Sequence, residues 1–537
     1  MTAPETAPHI DVVGGRPEDA ALTVSSTKER VVPFAVAALV CLVAVMTITP
    51  WPVGAFEDDG IYTVLARSLA MGDGYRLTNL PGSPFGTHYP PGYPFLLSLI
   101  WRLNPDFPGN VVLFKFANAV LLSLAAVGTW YFARRRLGMS SLNAGIVGIL
   151  STISIVVLFV AGMVLSEPMF LALLMPSLLL AENSAESGDW KSAALAGAVI
   201  GVLALVRTLG AIAIPAAAIV LLYRRHVRAA IALCTVSALF VVPWQMWIGI
   251  HELAVPPVLM GKYGSYGEWM RTGYAGGGWS FLLEVIQANV RGLVGMVGYM
   301  AMPVRLEWPR WIAFISVTGA VAYGALKLLP RQPVTAIFFS AYTATVLLWP
   351  FDANRFLWAV WPLVIITMWY AASLVLRWKR PGPAPRAFRA VLLLLLVAPM
   401  VGFFTYNVRA YRGQWWASIQ AQMGERARPI VEWVARNTAP SDVVATEHDL
   451  IVHLYTGRRA TPVSTFLPAH RIRPVTRVED LEALRNILEL YSPRYVIVGY
   501  EQSVASAEAL AAESPPVLKH LGNVAGARVY ERLTRAP

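Results

Sequence analysis

The chain has 537 residues, of which 56% are hydrophobic and 14% charged, and its mean hydropathy is +0.53. An average soluble domain is roughly 25% charged, so most of this chain belongs in lipid. The net charge of +12 sits in short basic clusters between apolar runs, where cytoplasmic loops carry it, which argues against a nucleic-acid partner. Cys41 and Cys234 both fall inside apolar runs and imply no disulfide framework.

Residues 1–30 are polar and end in "KER"; they read as a disordered cytoplasmic tail. Basic anchors follow at 134–136, 224–228, near Arg331 and at 377–386, with a polar loop at 182–191. Placing all of them inside predicts about eleven spans of roughly 20 residues: 32–50, 111–133, 143–163, 165–181, 191–208, 210–223, 229–249, 309–329, 333–350, 356–376 and 388–406. The third through sixth are closely spaced, which leaves room for a broken or re-entrant pair. Two outer loops result, 51–110 and 250–308. Beyond about residue 410 "DVVATEHDLIVHLYTGRRATPV", "VEDLEALRNILELY", "PRYVIVGY" and "ARVYERL" alternate strand and helix patterns. The expected architecture is therefore mainly α, a polytopic membrane domain over 31–410 followed by an extracytoplasmic α/β domain over 411–537.

The first outer loop carries the chemistry. In "FEDDGIYTVLARSLAMGDGY", residues 60–71 have the spacing of an amphipathic helix with Ile61, Leu65 and Leu69 on one face. Asp58 and Asp59 stand at its start, where one aspartate can cap the helix and complement its dipole. The second carboxylate is left for chemistry. In "GTHYPPGYPF" the Pro90–Pro91 pair is expected to hold His88 and Tyr89 on the outer surface near the carboxylates.

These motifs resemble the polytopic C-fold glycosyltransferases, the group that holds protein O-mannosyltransferases and the lipid A aminoarabinose transferase. The resemblance rests on "DDGIYTVLARSLAMGDGY", the "YPPGYP" element, "LSEP" at 165–168, "VRTLG" at 206–210, "NRFLWAVWP" at 354–362 and "YTGRRATPV". It implies a catalytic acid in the first outer loop, matched by Asp58 with Asp59 as substitute. It further implies a sugar donor on a polyprenyl phosphate and a lipid, glycan or protein acceptor. Aminoarabinose transferases carry Glu-Lys before their Pro-Pro, and the Glu can be a metal ligand; this chain has His88–Tyr89 there, and histidine also binds transition metals, so a divalent metal ion stays a possible cofactor without a certain one.

A transfer of this kind needs a base for the acceptor hydroxyl and cations for the leaving phosphate. Arg355, Arg207 and Lys262 are the candidate cations, each with a plainer reading: an interfacial anchor, a helix-end partner and a solvated loop lysine respectively. Tyr62 and Tyr89 complete the donor-binding set, and His88 and Glu167 are candidates for a metal or acceptor contact. Glu167 equally suits a helix N-terminus, and Asp352 either orients Arg355 or is exposed. Trp358, Trp361 and Tyr266 fit sugar stacking or an interfacial belt. His448, Asp449 and His453 fit a solvated helix face. The reading is an inverting membrane glycosyltransferase at the plasma membrane, N-terminus cytoplasmic. The alternatives are a polyprenyl-linked glycan ligase or polymerase and a lipid or solute transporter.

Overall fold

The computed structural model describes residues 27–252, 255–274, 278–377 and 382–533. The tail expected over 1–30 lies outside them except for its last four residues, as do residues 378–381 of the basic segment at 377–386.

The chain runs α1 (Thr27–Met46), α2 (Asp58–Met71), α3 (Gly92–Leu103), α4 (Val111–Arg136), α5 (Ser141–Thr152), α6 (Ile155–Gly162), α7 (Glu167–Ser187), α8 (Trp190–Val206), α9 (Ala213–Tyr223) and α10 (Val227–His251). Two short helices follow, α11 (Met260–Tyr263) and α12 (Tyr266–Tyr274), then α13 (Gly278–Leu293), which continues through a π-turn into α14 (Tyr299–Ala301). The second half of the bundle is α15 (Glu307–Leu328), α16 (Pro333–Leu347), α17 (Ala353–Trp358), α18 (Trp361–Arg377) and α19 (Pro383–Arg412).

Among the described residues six helices are long and apolar enough to cross a membrane, and seven if the α5–α6 pair, bent by 54°, is one span. Five of the six coincide with expected spans, and α5–α6 is the broken one. The remaining expected spans correspond to shorter apolar helices, among them Trp190–Val206 and Pro333–Leu347. A helix of 15–17 residues is roughly 22–26 Å long, somewhat less than the roughly 30 Å of hydrocarbon. The sixth long helix, Gly278–Ala301, falls where only an outer loop was expected. Glu284, Gln287, Asn289 and Arg291 interrupt its apolar run, which hid it from a hydropathy reading. Asn289 binds the carbonyls of Leu347 and Trp349 at the far end of α16, at 2.9 and 2.8 Å, so the last turns of α13 lie level with that end.

The break in α5–α6 is stabilised from outside. Asn407 of α19 accepts from Ile155 N (2.9 Å), and Tyr411 donates to the Ile153 carbonyl (2.6 Å). Backbone groups freed inside a bilayer need such partners, because no water is there to replace them.

The C-terminal part adds α20 (Ser418–Asn437), β1 (Val443–Thr446), α21 (Asp449–Thr456), β2 (Arg459–Thr461), α22 (Arg477–Tyr491), β3 (Tyr495–Val498), α23 (Glu501–Ala511), β4 (Leu518–Val524) and β5 (Ala527–Arg532). The sheet order is β2-β1-β3-β5-β4, with β1 parallel to β2 and β3, and β5 antiparallel to β3 and β4. Successive side chains alternate between two cores: Val444 and Ile497 face Ile430, Val434 and Val452, whereas Ala445, Val496 and Val498 face Leu484, Leu488 and Leu510. The result is three layers, α/β/α. Thr476 caps α22 in a reciprocal box with Glu479. Strand β4 and helix α20 were not legible in the sequence, because β4 is short of β-branched residues and α20 carries a proline.

Another core joins this domain to the membrane part: Tyr62, Tyr93, Trp101 and Tyr263 pack with Leu450 and Leu454 of α21. Consequently α2 is not a surface amphipathic helix. Ile61 through Ala66 are all buried.

Helix α15 lies against α18 at Gly324, where a Cβ would lie 2.2 Å from the Thr367 carbonyl oxygen. We expect Gly324→Val to force the helices apart and destabilise the bundle by about 1–3 kcal/mol, the usual range for overpacking. Thermal unfolding in detergent measures it.

Candidate functional site

The loop before α2 explains the acidic pair. Glu57 has φ 67° and ψ −64°, and Asp58 N donates to the Phe56 carbonyl at 2.7 Å. This is a γ-turn of the φ-positive kind, rare and strained for a residue with a side chain. Such a conformation costs about 1–3 kcal/mol and persists only where its surroundings over-determine it. Asp59 supplies much of that determination. Its carboxylate accepts from Gly54 N (2.9 Å), Phe56 N (3.0 Å) and Gly60 N (2.9 Å), and the residue is wholly buried. Burial pushes the Asp59 carboxyl up to about 6, against the three amides. Neither aspartate makes the N-cap bond expected of it; the N-cap residue is Glu57, which makes no side-chain cap.

Asp58 points the other way. Its Oδ2 forms an ion pair with Arg355 Nη1. Arg355 Nε is 2.6 Å from Glu167 Oε1, and Arg207 Nη1 lies 2.8 Å from the same oxygen. Arg207 also donates to Ser166 Oγ at 3.1 Å, which shares a hydrogen bond of 3.0 Å with the Tyr62 hydroxyl. Two carboxylates and two guanidiniums thus alternate in one cluster assembled from α2, α7, α17 and the segment after α8. Burial pushes the Asp58 carboxyl up; Arg355, the Tyr89 hydroxyl and His88 more than reverse this and hold it below the usual range.

Of the residues the sequence nominated, Asp58, Arg355, Arg207, Glu167, Tyr62 and Tyr89 are brought together, with the Tyr62 and Tyr89 rings 4.7 Å apart. His88 and Tyr89 are buried rather than on the outer surface. His88 Nδ1 bonds the Gly264 carbonyl, and its ring packs within 4.4–4.8 Å of Tyr89, Tyr266 and Trp269. Burial keeps the imidazole below its ordinary value, against the Gly264 carbonyl and the charge of Asp58. Among the described residues no three His, Cys, Asp or Glu side chains converge as metal ligands, and Asp58 and Glu167 both face Arg355. The donors present do not fit a metal.

Four nominated positions differ from expectation. Lys262 is engaged by Asp449 and Glu57 rather than facing solvent or the arginine cluster. Asp352 caps α17 by accepting from Asn354 N (3.0 Å). Asp449 and His453 are buried, not on a solvated face, because α21 lies against the first outer loop. Ser166 and Glu57 were missed: both flank recognised acids, but nothing in their spacing marks them.

An apolar cavity of about 740 Å³ adjoins the cluster, lined in part by Pro91, Phe95, Leu99, Met169, Leu205 and Trp247. Met169 is two residues from Glu167, Leu205 two from Arg207 and Pro91 two from Tyr89, which places the cavity near the cluster, though no side chain of the cluster lines it.

No family model and no curated protein matches the chain. Two solved structures are similar throughout its length. ArnT from Cupriavidus metallidurans, bound to undecaprenyl phosphate, aligns over 95% of this chain and 99% of its own at 13% identity, with a TM-score of 0.56. The arabinofuranosyltransferase AftD from Mycobacteria aligns over 94% of this chain at 14% identity, with a TM-score of 0.51; the chain spans 40% of its length. At such identities the likeness is one of fold. The chain shares the fold of ArnT and of AftD, as the resemblance of its first-loop motif led one to expect.

Proposed function

We propose that the chain is a membrane glycosyltransferase that moves a sugar from a polyprenyl-phosphate donor to an acceptor hydroxyl, with inversion and with Asp58 as general base. The observation that carries the reading is a single presented carboxylate, Asp58, set against a two-arginine cluster beside an apolar cavity. The fold shared with ArnT, whose structure holds undecaprenyl phosphate, supports the donor class. The basic ends of α4 and α9 mark the cytoplasmic side, so the site and the sheet domain face outward.

In the transfer the acceptor hydroxyl gives its proton to Asp58 as its oxygen bonds the anomeric carbon. The bond from that carbon to the phosphate oxygen breaks, and its electrons leave on the polyprenyl phosphate. Arg355 and Arg207 stabilise that charge through charge-assisted hydrogen bonds, and the cavity accommodates the start of the prenyl chain. In the present structure Arg355 faces Asp58. An arriving phosphate competes for the same guanidinium. As it wins, Asp58 loses the partner that holds its proton affinity down and becomes a stronger base, so donor binding and base activation are one event. Asp59, bound by three amides, shapes the loop instead.

Asp58→Asn should leave the fold and donor binding intact and lower transfer by about 10²–10⁴, the range for losing a general base. Mass spectrometry of glycosylated polyprenyl lipids, in membranes of a host without its own copy, should find one such lipid accumulating with the variant and depleted by the wild type. Equal lipid pools with two folded proteins would sink the assignment.

Arg355→Gln tests the cation separately. With Arg355 present, Asp58 stays ionised below the usual carboxylate range, so kcat/KM is flat as pH falls toward about 4. Without it burial dominates, the Asp58 carboxyl rises, and the acid limb of kcat/KM moves to higher pH. A pH profile in proteoliposomes with an unchanged limb would return Arg355 to a structural role.

A further inference from the structure

One lysine of the second loop bridges the C-terminal domain and the first loop. Lys262 Nζ lies 2.9 Å from Asp449 Oδ1 and 3.0 Å from Glu57 Oε1. Glu57 is the apex of the strained turn that aims Asp58, and Asp449 is the buried first residue of α21. The neighbouring Tyr263 donates to Asp449 Oδ2 (3.0 Å) and accepts from Asn79 Nδ2 (3.1 Å). Helix α21 also forms the floor of the turn. A Cβ on Gly54 would lie 2.9 Å from Ile451 Cγ1, and one on Gly60 2.8 Å from Leu450 Cβ, so only glycine permits this approach. Val53 N donates to the Tyr455 hydroxyl at 3.2 Å.

The charges make the lysine necessary. Asp449 is 2% exposed and has a tyrosine hydroxyl and Lys262 as its partners. The Glu57 side chain is half exposed and has no need of a partner for its own solvation. Its ion pair therefore acts on the backbone: it tethers a side chain whose residue would otherwise relax to negative φ and turn Asp58 away from Arg355.

We infer that Lys262 is a positioning residue for Asp58, clamping the strained Glu57 turn to Asp449 so that the C-terminal domain forms part of the support of the reactive carboxylate. The inference rests on the transferase reading for the role of Asp58, and it replaces a phosphate contact as the role of Lys262. The loop that carries Lys262 also supplies Gly264, Tyr266 and Trp269 around His88, so clamp and aromatic wall belong to one segment.

The test uses the full chain in lipid nanodiscs with two readouts: hydrogen exchange of the segment 53–60, and binding of undecaprenyl phosphate. Lys262→Met should speed exchange at the Gly54, Phe56 and Gly60 amides at least tenfold and leave undecaprenyl phosphate affinity within twofold of wild type. Adding Glu57→Gly, which adopts positive φ without strain, should restore protection and bring consumption of the glycosylated lipid within threefold of wild type. Should Lys262→Met fold poorly because Asp449 is left uncompensated, Lys262→Met with Asp449→Asn should show the same fast exchange in a folded protein. A tenfold loss of undecaprenyl phosphate affinity with unchanged exchange would overturn the inference and make Lys262 a phosphate ligand. Unchanged exchange in every variant would overturn it as well. The exchange readout needs no turnover, so a wild type that consumes no glycosylated lipid would refute the transferase reading alone.

Discussion

The loop before α2 and the helix ends that meet it are arranged around the ion-pair cluster of Asp58, Arg355, Glu167 and Arg207. Two cations and two anions balance, so the cluster can be buried. Removing one member of a buried pair typically costs about 3–5 kcal/mol, because the charge left behind has neither water nor partner. The four side chains come from segments spread over nearly 300 residues, from the first outer loop to α17. Their mutual need fixes where those segments end. The Glu167 side chain is fully buried at the start of α7, where an arginine on each side and the helix N-terminus compensate its charge.

The same cluster imposes a geometry on the loop before α2. To reach Arg355, Asp58 must leave the helix at an angle an ordinary N-terminus does not give, and the chain meets this with a φ-positive residue at Glu57. Strain at that point is balanced by attachments on both sides: the Asp59 carboxylate collecting three amides inside the loop, and Lys262 with α21 outside it. Two adjacent aspartates thus do unlike work, one as framework and one as presented group. Their identical chemistry in the sequence conceals a difference that only direction creates.

The sheet domain belongs to this arrangement rather than hanging from α19. Its helix α21 shares an apolar core with Tyr62, Tyr93 and Trp101, and Ala460 N of β2 bonds the Asn79 carbonyl at 2.8 Å.

Much was legible in the order of residues alone. Apolar runs of bilayer length and basic clusters between them disclosed a polytopic bundle, since the cost of placing charge in hydrocarbon is a local property of each segment. The strands β1 and β3 and helix α22 followed from local periodicity, and "EDDG" with "LSEP" and "NRFLW" marked Asp58, Glu167 and Arg355. What the sequence did not contain was direction and partnership. Whether Asp59 faces amides or solvent, whether Lys262 meets a phosphate or Asp449, and whether His453 is wet or buried depend on contacts between residues up to several hundred positions apart. Likewise Gly278–Ala301 looked like a loop because its polar residues are intolerable alone in lipid, and it became a helix because α16 supplies partners for Asn289. Local free energies are written in sequence; the pairing of buried polar groups is settled only when the chain has closed around them.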